Sequence, residues 1–284
     1  MLRRFFLALP CCLFILSASP VFGEQAILHL GIAPFNSPVT LFKTHQALQQ
    51  YLEQRLQRSV RLYTSANHAA FLADSLNGRF DIIITPPHFG ALCLEHGYAP
   101  LVRYRAPMPV IFVVRAANGI KTTADLRGKR IAFPERTSFF SVAGVRKLEE
   151  IGMHADTDYQ MLERPSHAAA IIAVTLKDVD AAVTTYGPLN QMSADTRAQI
   201  EIIHPEAGEN TPHLMTLARA QLGASLIAKI RSALMAFPAT DQGKAFFQMT
   251  GYEGYAPITA RDIRQVQPYT DLIRPLAPLK PDTP

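Results

Sequence analysis

Hydrophobic positions along the chain fall into two alternating rhythms. Short apolar and β-branched runs predict strands over 27–33, 60–63, 81–85, 101–104, 110–114, 129–133, 159–162, 181–184, 200–204 and 214–218. Between them apolar residues recur at helical spacing over 44–56 (Ala47, Leu48, Tyr51, Leu52, Leu56), 69–76, 142–151, 167–176 and 221–235, with a shorter helical stretch at Ala91-Leu92-Cys93-Leu94. The stops agree with these elements. Asn77-Gly78 and Gly152 close helices, and Pro34 and Pro86-Pro87 end strands because proline has no N–H for a sheet ladder. Ile82-Ile83-Ile84 reads as a strand buried on both faces. Thr122 to Leu126 reads as a short capped turn of helix.

Strand and helix alternate throughout, which predicts an α/β fold with largely parallel sheets. The pattern restarts after Val114. We therefore expect one lobe over 24–115 and 214–270 and a second, inserted lobe over 116–213, joined by two crossing segments that act as a hinge. Residues 271–284 form a Pro-rich tail, expected to run extended or disordered. No short-period repeat interrupts this organisation.

Composition changes the picture mainly at the N-terminus. Arg3 and Arg4 precede an apolar stretch over 5–18, and Val21-Phe22-Gly23 supplies a small residue for cleavage. That is the layout of a secretory signal peptide over 1–23, with a mature start near Glu24 and a periplasmic destination. The alternative, an uncleaved anchor, has too short an apolar core for a comfortable span. Pro10 before Cys11 argues against a lipoprotein. Two of the three cysteines lie in this segment, so only Cys93 remains, without a disulfide partner or metal-ligand spacing. Its ordinary reading is a buried small hydrophobe. The formal charge falls from +5 to +3 once Arg3 and Arg4 leave. With basic residues scattered, this speaks against a nucleic-acid surface and is compatible with a small anionic ligand. No cofactor or metal is expected.

Several stretches in order resemble the PhnD-like family of periplasmic phosphate-, phosphite- and phosphonate-binding proteins over most of the mature chain. They are Leu30-Gly31-Ile32-Ala33-Pro34-Phe35, the segment from Phe80 to Pro87, and Gly119 to Phe133 with its Asp125-Leu126-Arg127-Gly128-Lys129 core. Pro165-Ser166-His167-Ala168-Ala169 and Val179 to Val183 complete the set. Each alone is common among binding proteins, and their order and spacing carry the likeness. The resemblance implies a type II periplasmic-binding-protein fold, two α/β lobes that close on a ligand. It also implies an ABC permease in the inner membrane as partner, with the binding protein itself expected to be a monomer.

Ligands of open α/β sheets sit at the carboxyl ends of strands, where helix starts offer N–H groups and a favourable dipole to anions. The first candidate on this rule is Arg136-Thr137-Ser138, after the strand at 129–133. Relatives often carry Ser-Thr-Ser-Gly here; Thr137 and Ser138 match, while Arg136 and Phe139 replace the outer Ser and the Gly. Arg136 either strengthens anion binding through charge-assisted hydrogen bonds or points outward, and Thr137 or Ser138 could be plain helix caps. Ser166 and His167 come second, Ser166 again being a cap or a ligand contact. Thr85 and His88 come third, in a turn where relatives usually show Gly-Pro. Phe35 and Asn36 after the first strand, and Thr184 and Tyr186 after 181–184, complete the expected ring. No carboxylate that would hold a ligand amino group can be mapped.

Two other functions stay open on the sequence. An exported enzyme on the same fold would need a nucleophile and base that no motif supplies. A sensing subunit that signals to a membrane kinase is the other, since Thr85 to Phe89 looks somewhat like sensor-attached relatives.

Overall fold

A computed structural model describes residues 26–205 and 211–277. The expected signal peptide and the second half of the Pro-rich tail, 278–284, lie outside these residues. Two sheets carry the architecture. The first has the strand order β11-β4-β10-β3-β1-β2 and the second β7-β6-β8-β5-β9. In the first sheet β1 is Leu28–Ile32, β2 Val60–Tyr63, β3 Ile82–Thr85, β4 Tyr98–Tyr104, β10 Met215–Arg219 and β11 Tyr255–Ala256. In the second, β5 is Ile111–Arg115, β6 Arg130–Phe133, β7 Gln160–Glu163, β8 Ala181–Thr184 and β9 Ile200–Ile203.

Each sheet mixes parallel and antiparallel pairs, three of five antiparallel in the first and two of four in the second, which corrects the expectation of largely parallel sheets. Strand β1 runs parallel to β2 and β3, and β6 parallel to β7 and β8. By contrast β10 runs antiparallel to β3 and β4, and β5 antiparallel to β8 and β9. The reason is the crossing. A strand that enters a sheet from the other sheet arrives running the opposite way and needs no crossover helix. The first crossing also comes earlier than the restart of the pattern implied. Residues 111–115, expected in the first lobe, form a central strand of the second sheet, because the hydrophobic run Ile111-Phe112-Val113-Val114 is buried between β8 and β9.

Local sequence explains the elements that reach the cleft. Helix α1 (Pro38–Leu56) begins six residues before the apolar rhythm does, because Ser37 accepts the Thr40 N–H and Pro38 sits at the first helical position. Its Leu41, Leu48, Tyr51 and Leu52 face the core. Helices α2 (His68–Leu76) and α3 (Pro87–Glu95) follow β2 and β3. In the second sheet α4 (Phe139–Glu149) follows β6, α5 (His167–Thr175) follows β7 and the short α6 (Tyr186–Asn190) follows β8. Helix α7 (Ala194–Ala198) then leads into β9. Helix α4 lies so close to β8 that a Cβ at Gly144 would stand 2.7 Å from Val183 Cγ1.

The C-terminal part holds more helix than the rhythm suggested: α8 (Ala224–Ala236), α9 (Asp241–Thr250) and α10 (Ala260–Ile273). A capping box of Thr259 and Asp262 starts α10. The helix continues past the expected start of the tail, and Arg274 is anchored to Glu95 at 2.6 Å. Helix α10 packs on α3 and reaches α4, where Tyr269 and Phe139 meet edge to face at 5.4 Å. Among the described residues no helix is long and apolar enough to cross a membrane. Cys93 is buried as expected, and burial pushes its thiol up to about 12.

Candidate functional site

The carboxyl ends of β1 and β2 face those of β6 and β7 across a cavity of about 450 Å³. From the first sheet Phe35, Asn36, Asn67 and His68 line it; from the second, Glu135, Ser138, Ser166 and His167 do. A second cavity of about 470 Å³ continues toward the crossing segments and shares Phe35, Asn36, His167, Pro188 and Gln191 with the first. Its own walls are Met108, Phe140, Tyr186, His213 and Tyr252 among others. The two form one cleft, a polar chamber that carries the serines, Asn67, His68 and Glu135 and a second that carries most of the aromatic side chains.

The structure brings together six of the residues the sequence singled out: Phe35, Asn36, Ser138, Ser166, His167 and Tyr186. Both serines are helix caps as well as cavity walls. Ser138 accepts the Ser141 N–H at 3.2 Å and Ser166 accepts the Ala169 N–H at 3.1 Å. In α5 the His167 and Ala168 N–H groups fall in the first turn, which has no intrahelical acceptor, and both residues line the cavity. His167 Nδ1 is hydrogen-bonded to Thr184 Oγ1 at 3.1 Å, and its ring meets Phe140 edge to face at 5.1 Å. Burial, with the nearby His68 adding to it, holds that imidazole down to about 3, so it is a neutral ring at physiological pH.

The other five stand behind or beside the cavity. Thr184 is buried and orients His167. Thr85 is buried in β3. Arg136 is exposed, with its backbone N–H on Glu163 at 3.1 Å and its guanidinium 4.0 Å from the same carboxylate. Thr137 donates its hydroxyl to Glu135 at 3.1 Å. His88 is fully buried and donates from Nε2 to the Thr137 carbonyl at 3.1 Å, linking α3 of the first sheet to the β6–α4 turn of the second. It stacks on Phe89 at 4.4 Å and meets Phe139 at 5.5 Å, and burial pushes its ring down to about 3.

The reading of the sequence passed over the pair that joins the two sides of the polar chamber. Glu135, at the carboxyl end of β6, reaches across to the start of α2. Its carboxylate accepts from His68 Nδ1 at 2.9 Å, from the His68 N–H at 3.1 Å and from the Ala69 N–H at 3.2 Å. Burial alone would raise this carboxyl, but the His68 contacts and the two amides outweigh it and hold it at about 2. A signal existed: Asn67 and His68 lie just past the carboxyl end of β2, a strand that leads into a helix, which is the position the strand-end rule selects.

Two sheets of mixed strands, two crossings and a cleft lined by helix starts define a binding protein of the type II periplasmic fold. Solved structures agree on the fold. XAC2383 from Xanthomonas citri bound to chloride aligns with TM-score 0.75 at 16% identity, covering 88% of this chain and 98% of that one. PhnD1 from Prochlorococcus marinus in complex with methylphosphonate aligns with TM-score 0.76 at 14% identity, covering 89% and 99%. The periplasmic aliphatic sulphonate binding protein SsuA from Escherichia coli aligns with TM-score 0.65 at 18% identity, covering 90% and 95%. The family model of the ABC transporter phosphonate periplasmic substrate-binding protein matches residues 30–263. The chain belongs to that family, as the resemblance in its sequence implied, and is a periplasmic substrate-binding protein of the ABC transporter type.

Proposed function

We propose that this protein, exported through a cleaved signal peptide and monomeric, binds a small oxyanion in the cleft. Ligand binding closes two lobes about the crossing segments, and the closed form hands the ligand to an ABC permease. The class of oxyanion includes phosphonate, phosphite and phosphate. The observation that supports this reading best is the convergence of the α4 and α5 starts, with Ser138, Ser166 and the first-turn N–H groups of α5, on one cavity between the sheets. Phe35 and Asn36 face them from the other sheet, His167 adds a neutral ring nitrogen, and Tyr186 closes the second chamber.

Binding without turnover is the chemistry these groups suit. His167, an imidazole on the cavity wall next to Ser166 in the chain, is committed to Thr184 and held neutral. Ser138 donates within its own helix start, to Ser141 Oγ at 3.1 Å. Neither is arranged as a nucleophile with its base.

A thermal-shift panel of phosphate, phosphite, alkyl- and arylphosphonates, sulfonates and carboxylates tests the reading. At least one oxyanion is expected to raise the melting temperature with increasing concentration, as ligand binding to the folded state requires. If every anion leaves it unchanged, the cleft is not an oxyanion site. Consumption of a bound compound would return the enzyme to consideration.

A further inference from the structure

The fixed charges of the cleft are unusual for a site that holds an anion. Among the described residues neither chamber is lined by a lysine or arginine. Arg136 is turned to Glu163, and Arg103 and Arg105 line a separate, smaller hollow of about 200 Å³. The polar chamber does contain a permanent negative charge. The Glu135 side chain, 22% exposed, is pinned by four donors: the His68 ring, the His68 and Ala69 amides and the Thr137 hydroxyl. Its titratable partner is His68 on α2, which His88 on α3 and His167 on α5 approach in turn, and Arg136 follows it on the same turn. What remains for a ligand is a set of neutral donors and helix starts. These suit one negative charge, and a second would be uncompensated beside a carboxylate.

The second chamber adds a shape. Its Phe35, Met108, Phe140, Tyr186 and Tyr252 offer an aromatic and apolar wall beside Asn190 and a second acid, Glu253, continuous with the polar chamber through His167 and Gln191. A ligand the size of methylphosphonate would leave this volume to water. An alkyl or aryl body extending from the oxyanion would fill it.

We infer that the site takes a singly charged tetrahedral oxyanion with an apolar body, the class of organosulfonates and phosphonate monoesters. Glu135 is the residue that discriminates against a doubly charged phosphonate or phosphate. The inference rests on the reading of the cleft as an oxyanion site. It assigns specificity to a repulsive element as well as to attractive ones.

Isothermal titration calorimetry on the mature chain separates the two levels. The ligands are two pairs matched in shape and different in charge: benzenesulfonate with phenylphosphonate, and methanesulfonate with methylphosphonate. A sulfonate carries one charge throughout, whereas a phosphonate loses its second proton close to neutrality. At about pH 8.5 benzenesulfonate is expected to bind about tenfold or more tightly than phenylphosphonate. At about pH 5.5 that gap is expected to close, because the phosphonate then carries one charge. The sulfonate serves as control for the protein's own titrations. Each aryl ligand is expected to bind about tenfold or more tightly than its methyl partner. Glu135→Gln, if folded by circular dichroism, is expected to remove most of the gap at the higher pH. Phenylphosphonate binding as tightly as benzenesulfonate at about pH 8.5, or a gap unchanged in folded E135Q, overturns the charge assignment. Equal binding of aryl and methyl ligands overturns the apolar body. The wild-type comparison decides the charge question even if E135Q does not fold. Binding by none of the four overturns the oxyanion reading itself, and this inference with it.

Discussion

Ser138 shows how much a single side chain at this site does at once. It lines the polar chamber, yet it is only 2% exposed and caps α4 by accepting the Ser141 N–H. On sequence alone it could be a ligand contact or a plain helix cap. The structure makes it a cap that also lines the cavity. Ser138→Ala should cost about 1 kcal/mol of stability without ligand, the usual value of a serine N-cap, together with a loss of affinity. Urea-unfolding midpoints in the absence of ligand measure the first part. An unchanged midpoint would show that the cap is dispensable. Side-chain direction was the least legible feature of the sequence. Glu135, Arg136 and Thr137 are consecutive after β6. One crosses to the other sheet, one is exposed beside Glu163, and one holds its neighbour's carboxylate. The types of residue in the turn were visible; their orientations depend on which groups the opposite sheet presents.

Elements were far more legible than orientations, and their ends show why. The strands over 60–63 and 181–184 were read to the residue, because short buried runs bounded by polar residues leave little freedom. The start of α1 was misplaced, since its first turn is exposed and held by Ser37 and Pro38 instead of apolar contacts. Helices α9 and α10 were missed. The prolines from Pro275 onward suggested a tail over 271–284, whereas α10 runs on to Ile273, and the Thr259 and Asp262 capping box at its start was there to be read. Helix α4 matters most for the site, because its start carries Ser138 and its middle must approach β8. Gly144 permits that approach, with Val183 Cγ1 2.7 Å from where a Cβ would stand. Gly144→Ala should therefore push α4 off the sheet and destabilise the protein by about 1–3 kcal/mol, as overpacking does. It should also weaken ligand binding through displacement of the helix start. Chemical denaturation checks the first effect and calorimetry the second; a variant as stable as the parent would refute the packing argument.

At the scale of the whole molecule, buried histidines set a limit on stability in acid. Burial holds His45 at about 4 and His88 and His213 at about 3, against an ordinary 6.5. Because the unfolded chain takes up protons that these rings refuse when folded, stability rises with pH. Their contribution is complete above about 6.5 and is lost progressively as pH falls toward 4 and 3. Glu135 acts in a lower window, since its carboxyl is held at about 2 against an ordinary 4.5; its contribution is lost between those values. Stability should fall steadily from about pH 6.5 to pH 4, at up to about 1.4 kcal/mol per pH unit for each buried ring, and the melting temperature should fall with it. A flat profile by differential scanning calorimetry would falsify the burial of these rings. His88 is the informative one, because it hydrogen-bonds across from one sheet to the turn of the other.

The sequence by itself determined the alternation of strand and helix, the chain's return to its first sheet and the family, together with most of the strand ends around the cleft. Those features follow from local hydrophobic rhythm and from motifs in order, which neighbours along the chain are enough to fix. Tertiary structure alone decided that each sheet mixes parallel and antiparallel strands, that residues 111–115 belong to the second sheet, and that Glu135 meets His68. Each of these depends on segments far apart in the chain. Strand direction at a crossing depends on where the chain has come from, and the partner of a charged side chain depends on what the facing element presents. The charge of the cleft was set in the same way, when Glu135, the acidic group that lines its polar chamber among the described residues, came to rest on a helix start of the opposite sheet.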